Sequence, residues 1–119
     1  MEPLDEKTEI DKKVEALLEK DPSTQGQNRA LIEGYKLWDA ELNRIYKNLY
    51  AELPSSGKPR LQASQRAWIT WRDAELKLID AIYLKMDGTM YQPMRLHARM
   101  ELVRQRTMTL MKYRQVGGK

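Results

Sequence analysis

Leu31, Tyr35, Trp38, Leu42, Ile45 and Leu49 step along the chain by four, three, four, three and four residues. A strand would scatter these side chains over both of its faces, whereas a helix gathers them into one heptad-like seam. That seam must be buried, so the remaining chain has to supply helices that cover it. Its ends are marked as well. Asp21-Pro22-Ser23-Thr24 breaks the chain and offers Ser23 or Thr24 as an N-cap, and Pro54-Ser55-Ser56-Gly57-Lys58-Pro59 stops the helix and turns it.

Beyond the turn, Gln65-Arg66-Ala67-Trp68-Ile69-Thr70-Trp71-Arg72-Asp73-Ala74-Glu75-Leu76 again reads as helix, with polar groups among its aromatic anchors. Gln65, Trp68, Arg72, Glu75 and Ile79 recur at spacings of three and four and share one face. A polar group buried without a partner costs roughly 2–7 kcal/mol, so this face needs partners. If the two helices form a hairpin about Ser56, residues whose numbers sum to roughly 112 face each other, because both rise equally per residue. This register places Asp39 by Arg72 or Asp73, Asn43 by Trp68 and Ile69, and Tyr46 by Gln65 or Arg66, and predicts an interhelical polar clamp in which Asp39 pairs with Arg72. Asn43, Tyr46 and Gln65 then exchange hydrogen bonds. The alternative is a small-ligand or hydrolase-like site built on Asp39, Arg72, Asp73 and Glu75. Acid/base chemistry requires a cleft, and no motif here announces one.

The other elements follow from the same periodicity. A first helix is expected from about Asp5 to Glu19 on Ile10, Val14, Leu17 and Leu18, and the third from about Arg60 to Met86, ended by Asp87-Gly88. A fourth runs from about Met94 on Leu96, Met100, Val103, Leu110 and Met111 to Gly117-Gly118. No strand pattern is present. The expected fold is all-α: one domain over residues 1–119, a compact antiparallel bundle of three long helices plus a shorter N-terminal one.

Composition narrows the chemistry. The 119 residues contain no Cys and a single His, which removes a disulfide framework, a thiolate nucleophile and most histidine-based schemes. No run approaches the roughly 20 apolar residues of a membrane span, and the acidic start, Met1 to Lys7, is unlike a signal peptide. Either the protein is cytoplasmic, or its leader has been removed. The net charge of +4 conceals a gradient, with eight acidic against four basic residues over 1–22, and seven basic against Glu101 alone over 94–119. A basic tail of this kind suits phosphates, acidic lipid or an acidic partner, unless the acidic first helix covers it. It lacks a nucleic-acid reading motif, and its only aromatic is Tyr113.

Six of the seven Met lie between Met86 and Met111. Met90, Met94, His97 and Met100 together make a candidate copper set, since thioethers and imidazole suit Cu(I). Against it, Thr89 to Pro93 are expected to interrupt the helix, and methionine commonly fills helical cores.

Asp21-Pro22-Ser23-Thr24, Trp38-Asp39 with Leu42-Asn43 and Tyr46, and Gln65-Arg66-Ala67-Trp68-Ile69 with Arg72-Asp73-Ala74-Glu75 together make the chain resemble the LprI-type lysozyme-inhibitor domain. Gly88-Thr89-Met90 and Leu102 to Arg106 with Leu110 continue the likeness, which covers roughly residues 10–112. The resemblance implies a helical bundle of the bacterial envelope or periplasm, non-enzymatic and protein-binding, with lysozyme inhibition in some members. It implies no cofactor. Where relatives carry disulfide-forming cysteines, this chain has Leu17, Ala30, Leu76 and Ala98. An inhibitor of this kind would place a loop against the lysozyme carboxylates. The candidate partner-binding loops hold Ser55, Ser56 and Lys58, and Thr89 and Tyr91, with Lys58 the cation expected to face such a carboxylate.

Overall fold

The computed structural model describes residues 7–117. Four helices follow in order, α1 (Glu9–Lys20), α2 (Thr24–Glu52), α3 (Lys58–Tyr83) and α4 (Tyr91–Gly117). Successive helices run antiparallel, so the expected bundle of three long helices and one short one is the observed fold. The part of the first helix expected at Asp5 and Glu6, and the closing Gly118, lie outside the described residues.

Local chemistry explains the boundaries. Thr8 caps α1 through a reciprocal box: its hydroxyl accepts from the Asp11 N–H while the Asp11 carboxylate accepts from the Thr8 N–H. Ser23 caps α2 by accepting from the Gly26 N–H at 3.0 Å. α3 starts two residues before the expected Arg60, because Pro59 is tolerated in a first turn, whose N–H groups have no intrahelical partner. The same tolerance lets α4 start at Tyr91, ahead of Pro93 and one turn earlier than expected. Gly88 makes the connection possible with φ of +106°, in the region disfavoured for side-chain-bearing residues.

Neighbours in sequence are not the closest neighbours in space. The tightest packing joins α2 to α4, with α1 on α2 and α3 on α4 as the other extended contacts. α2 and α4 run parallel: Asn28 donates to Gln92, Trp38 lies beside Arg104 and Thr107, and Glu52 meets Arg114. The α2/α3 hairpin register that predicted the polar clamp therefore does not describe the main interface. A missing side chain favours α4. Gly34 lets Met100 of α4, together with Val14 of α1, press onto α2; a Cβ on Gly34 would stand 2.5 Å from Met100 Sδ and 3.0 Å from Val14 Cγ2. α3 instead faces inward with Gln65, Trp68 and Arg72, whose bulk holds its axis farther from α2.

The core has Trp38, Leu42, Ile45 and Leu49 of the predicted seam at its centre, joined by Leu31, Val14, Leu61, Met100, Val103 and Leu110. Tyr35, the remaining seam residue, is half-buried beside them. Thr107 is fully buried among these side chains, and its hydroxyl donates to the Val103 carbonyl at 2.8 Å on its own helix.

Gly34→Val would place branched carbon where three helices meet. Overpacking of this sort costs about 1–3 kcal/mol, so thermal denaturation should show a Tm lowered by about 4–10 °C. An unchanged Tm would mean that α2 and α4 do not approach closely at this point.

Candidate functional site

The residues expected to clamp α2 to α3 make other contacts. Arg72 donates to the adjacent Asp73 at 2.8 Å, and its guanidinium lies 5.4 Å from the centre of the Trp68 ring. Asp39 forms no hydrogen bond or ion pair among the described residues, Asn43 is exposed, and Tyr46 stacks on Tyr50 with ring centres 6.3 Å apart. Gln65 does find a partner, but on α4: it accepts from Arg106 Nε at 2.9 Å. Arg106 also lies 5.9 Å from the Trp68 ring, so the motif tryptophan sits between cations from two helices. Arg66 is exposed. The physical reason for the correction is that α3 turns this face toward α4, where Arg106 competes for the polar groups. Asp39 and the Arg72/Asp73 pair consequently do not converge into one acid/base cluster.

The arginines of α4 are the interhelical contacts that sequence reasoning missed. Arg95 and Arg99 both donate to Asp80 of α3, at 2.9 and 3.0 Å to Oδ1. Arg104 forms a two-pronged pair with Asp11 of α1, at 2.9 and 3.1 Å. Arg114 grips Glu52 of α2 with contacts from 2.8 to 3.0 Å. Four arginines of the basic tail are thus paired internally, one of them, Arg104, with the acidic first helix as anticipated in part. The recurrence of Arg at 95, 99, 104, 106 and 114 was its sequence signal, but the acidic partners lie far away in the chain.

These pairs set the local ionisation. Partial burial pushes the Asp80 carboxyl up, but the Arg95 and Arg99 guanidiniums outweigh it and hold it below its ordinary value. Asp11 behaves alike: burial raises it, and Arg104 together with the Thr8 cap lowers it further. Burial lowers the Arg106 guanidinium, which has Gln65 and Ser64 rather than a carboxylate as hydrogen-bond partners.

The two candidate loops differ. In the first, Lys58 is not poised toward solvent. Its ammonium donates to the Tyr50 and Leu53 carbonyls at 2.6 and 2.7 Å and lies 5.0 Å from the Tyr50 ring, so it caps the end of α2. Ser55 and Ser56 beside it are exposed. The second loop is set in apolar surface. Trp71, Leu78 and Ile82 form an exposed stripe on α3, and Leu84, Met86, Met90 and Met94 extend exposed apolar surface through the connection into α4. A cleft of about 570 Å³ opens here, lined by Leu18 of α1, Leu31 of α2 and Tyr83 of α3, with Thr89, Met90, Met94 and His97. Thr89 also borders a second hollow of about 300 Å³, where Tyr91 lies. Of the methionine and histidine set, Met100 is excluded, being buried against Gly34.

Leu17 and Ala30 line one hollow between α1 and α2, and Ala30 is buried there.

The arrangement defines a four-helix bundle domain whose clustered charges are largely paired within the fold and whose apolar side chains surface along α3 and the α3–α4 connection. Residues 18–110 match the family described as lysozyme inhibitor LprI, and the chain belongs to that family. It is also similar to a crystal structure of an uncharacterised protein from Burkholderia thailandensis, at 29% identity and a TM-score of 0.85. That match covers 92% of this chain and 55% of the other, so this chain spans little more than half of its length. No curated protein matches the chain. No helix among the described residues is long and apolar enough to cross a membrane.

Two measurements check this geometry. Lys58→Ala should lower stability by about 1–2 kcal/mol, the scale of a charge-assisted cap, whereas a purely partner-facing lysine would leave Tm unchanged. Asp80→Asn should cost about 1 kcal/mol at neutral pH, as expected for a partly exposed pair. Because the folded carboxyl is depressed below the unfolded ~3.9, its contribution is present above that value and lost as pH falls through the lower folded one. The variant's Tm should therefore decline less steeply between pH 5 and 2 than that of the parent chain, and parallel profiles would refute the assignment.

Proposed function

We propose that this domain is a non-enzymatic, protein-binding module of the bacterial envelope that inhibits lysozyme through the surface around the α3–α4 connection. Family membership supplies the class of partner. The observation that carries the location is the exposed apolar surface from Trp71 to Met94, which includes side chains as open as Leu84 at 68% and Met90 at 63%. Exposed apolar side chains in this number on one helix and the connection after it mark contact with another macromolecule, and methionine adapts to varied partner shapes.

Thr89, on the cleft, and Tyr91, in the hollow beside it, are the contact residues of choice in the second of the two expected loops. Lys58 supports the reading least, since its charge is already engaged by α2 carbonyls. Burial of apolar surface then provides the affinity. Charge does not assist, because animal-type lysozymes are basic and the chain carries +4. Like charges slow encounter and are screened by salt.

The test is an inhibition assay of the purified chain against several lysozyme types at low and moderate salt. Dose-dependent inhibition that is equal or stronger at moderate salt is expected, with at least a tenfold loss for Met90→Asp and no change in Tm. Absence of inhibition of every type by the folded protein would overturn the lysozyme reading. Inhibition unaffected by Met90→Asp would overturn the location.

A further inference from the structure

Met90, Met94 and His97 line one cleft, and nothing in a packing role accounts for their exposure. Core methionines exist to fill gaps, as Met100 does beneath Gly34. Met90 and Met94 instead stand 63% and 44% exposed, and the His97 side chain is 59% exposed. Because α4 begins at Tyr91, ahead of Pro93, the helix is not interrupted between these residues. Met90 immediately precedes the first helical residue, held there by the Gly88 to Gln92 turn in which the Tyr91 and Gln92 N–H groups donate to the Gly88 and Thr89 carbonyls. Met94 and His97 therefore fall at i and i+3 on one face of α4, and Met90, at the turn that leads into the helix, lines the same cleft.

We propose that Met90, Met94 and His97 form a binding site for a soft monovalent metal ion, Cu(I) in chemical class. Two thioethers and one imidazole are the donor set that favours such an ion over hard or borderline divalent cations. The surroundings agree. No carboxylate lines the cleft, so it offers little to Ca(II) or Mg(II), and its walls are apolar side chains such as Leu18, Leu31 and Pro93. His97 reaches in beside Glu101, whose carboxylate lies 3.9 Å from Nε2. Residues 90 and 97 are separated by about 10 Å along the helix axis. His97 leans back toward the helix N-terminus and the flexible thioether of Met90 has the torsional freedom to extend toward it, which puts a common ion within reach of both.

The site shares Met90 and Met94 with the proposed contact surface, but metal binding is read without lysozyme. The full chain, labelled with [13C]methyl methionine, is titrated with silver nitrate in chloride-free buffer, silver being a redox-silent probe for the same donors. Cu(I) is then titrated in competition with bicinchoninate. The expected result is that the Met90 and Met94 methyl signals move together and saturate at one equivalent, while the other five methionines stay in place. Met94→Leu and His97→Ala should each weaken Cu(I) binding at least tenfold with Tm unchanged, since both side chains are exposed. Shifts confined to other methionines, absence of saturation, or affinity in Met94→Leu equal to that of the parent chain would each overturn the site.

Discussion

The close approach of α2 and α4 is the contact on which the other helices depend. It exists because Gly34 leaves room for Met100 and Val14, so that α1 and α4 both press against α2 at the level of one glycine. One helical turn farther on, Trp38, Val103 and Thr107 are all but inaccessible to water. Each buried apolar side chain there contributes on the order of 1.5–3 kcal/mol relative to exposure. Such a contact is unforgiving, since close-packed interiors cannot absorb added volume without strain.

Around that seam, α4 acts as the electrostatic spine. Its arginines reach Asp11 on α1, Glu52 on α2 and Asp80 on α3, so every other helix is tied to it by a charged pair. Individually, partly exposed pairs add little to stability. Spaced along one helix, they select among the registers that a smooth apolar seam would allow. They also engage Arg95, Arg99, Arg104 and Arg114 of the strongly basic end within the fold, which leaves apolar surface as the feature that distinguishes the α3–α4 connection.

Much of this was legible in the sequence. The spacing of Leu31 to Leu49 identified the core helix, and Ser23 and Gly88 marked a helix start and a connection, because caps and periodicity are local chemistry. Family membership was legible from Gln65, Trp68, Arg72 and their neighbours. Their contacts were not, since Gln65 bonds to Arg106 and Arg72 to Asp73, and neither reaches Asp39. A partial signal was present: Gly26, Ala30 and Gly34 recur every four residues on α2 and are all buried, the first two beside α1 and Asp21 and Gly34 against Val14 of α1 and Met100 of α4. Small residues at that spacing mark a line of close approach, and the hairpin geometry applied to α2 and α3 took no account of it.

The sequence by itself determined the four helices, their capping, the faces that must be buried and the family. Those properties follow from intervals of three and four residues and from side-chain chemistry within a turn. Tertiary structure alone decided that α2 lies closest to α4, that Lys58 caps a helix instead of meeting solvent, and that Met90, Met94 and His97 share an open cleft while Met100 is core. These outcomes depend on which of several compatible faces pack most closely. That competition is settled by volume and by charges tens of residues apart, and no local interval records it.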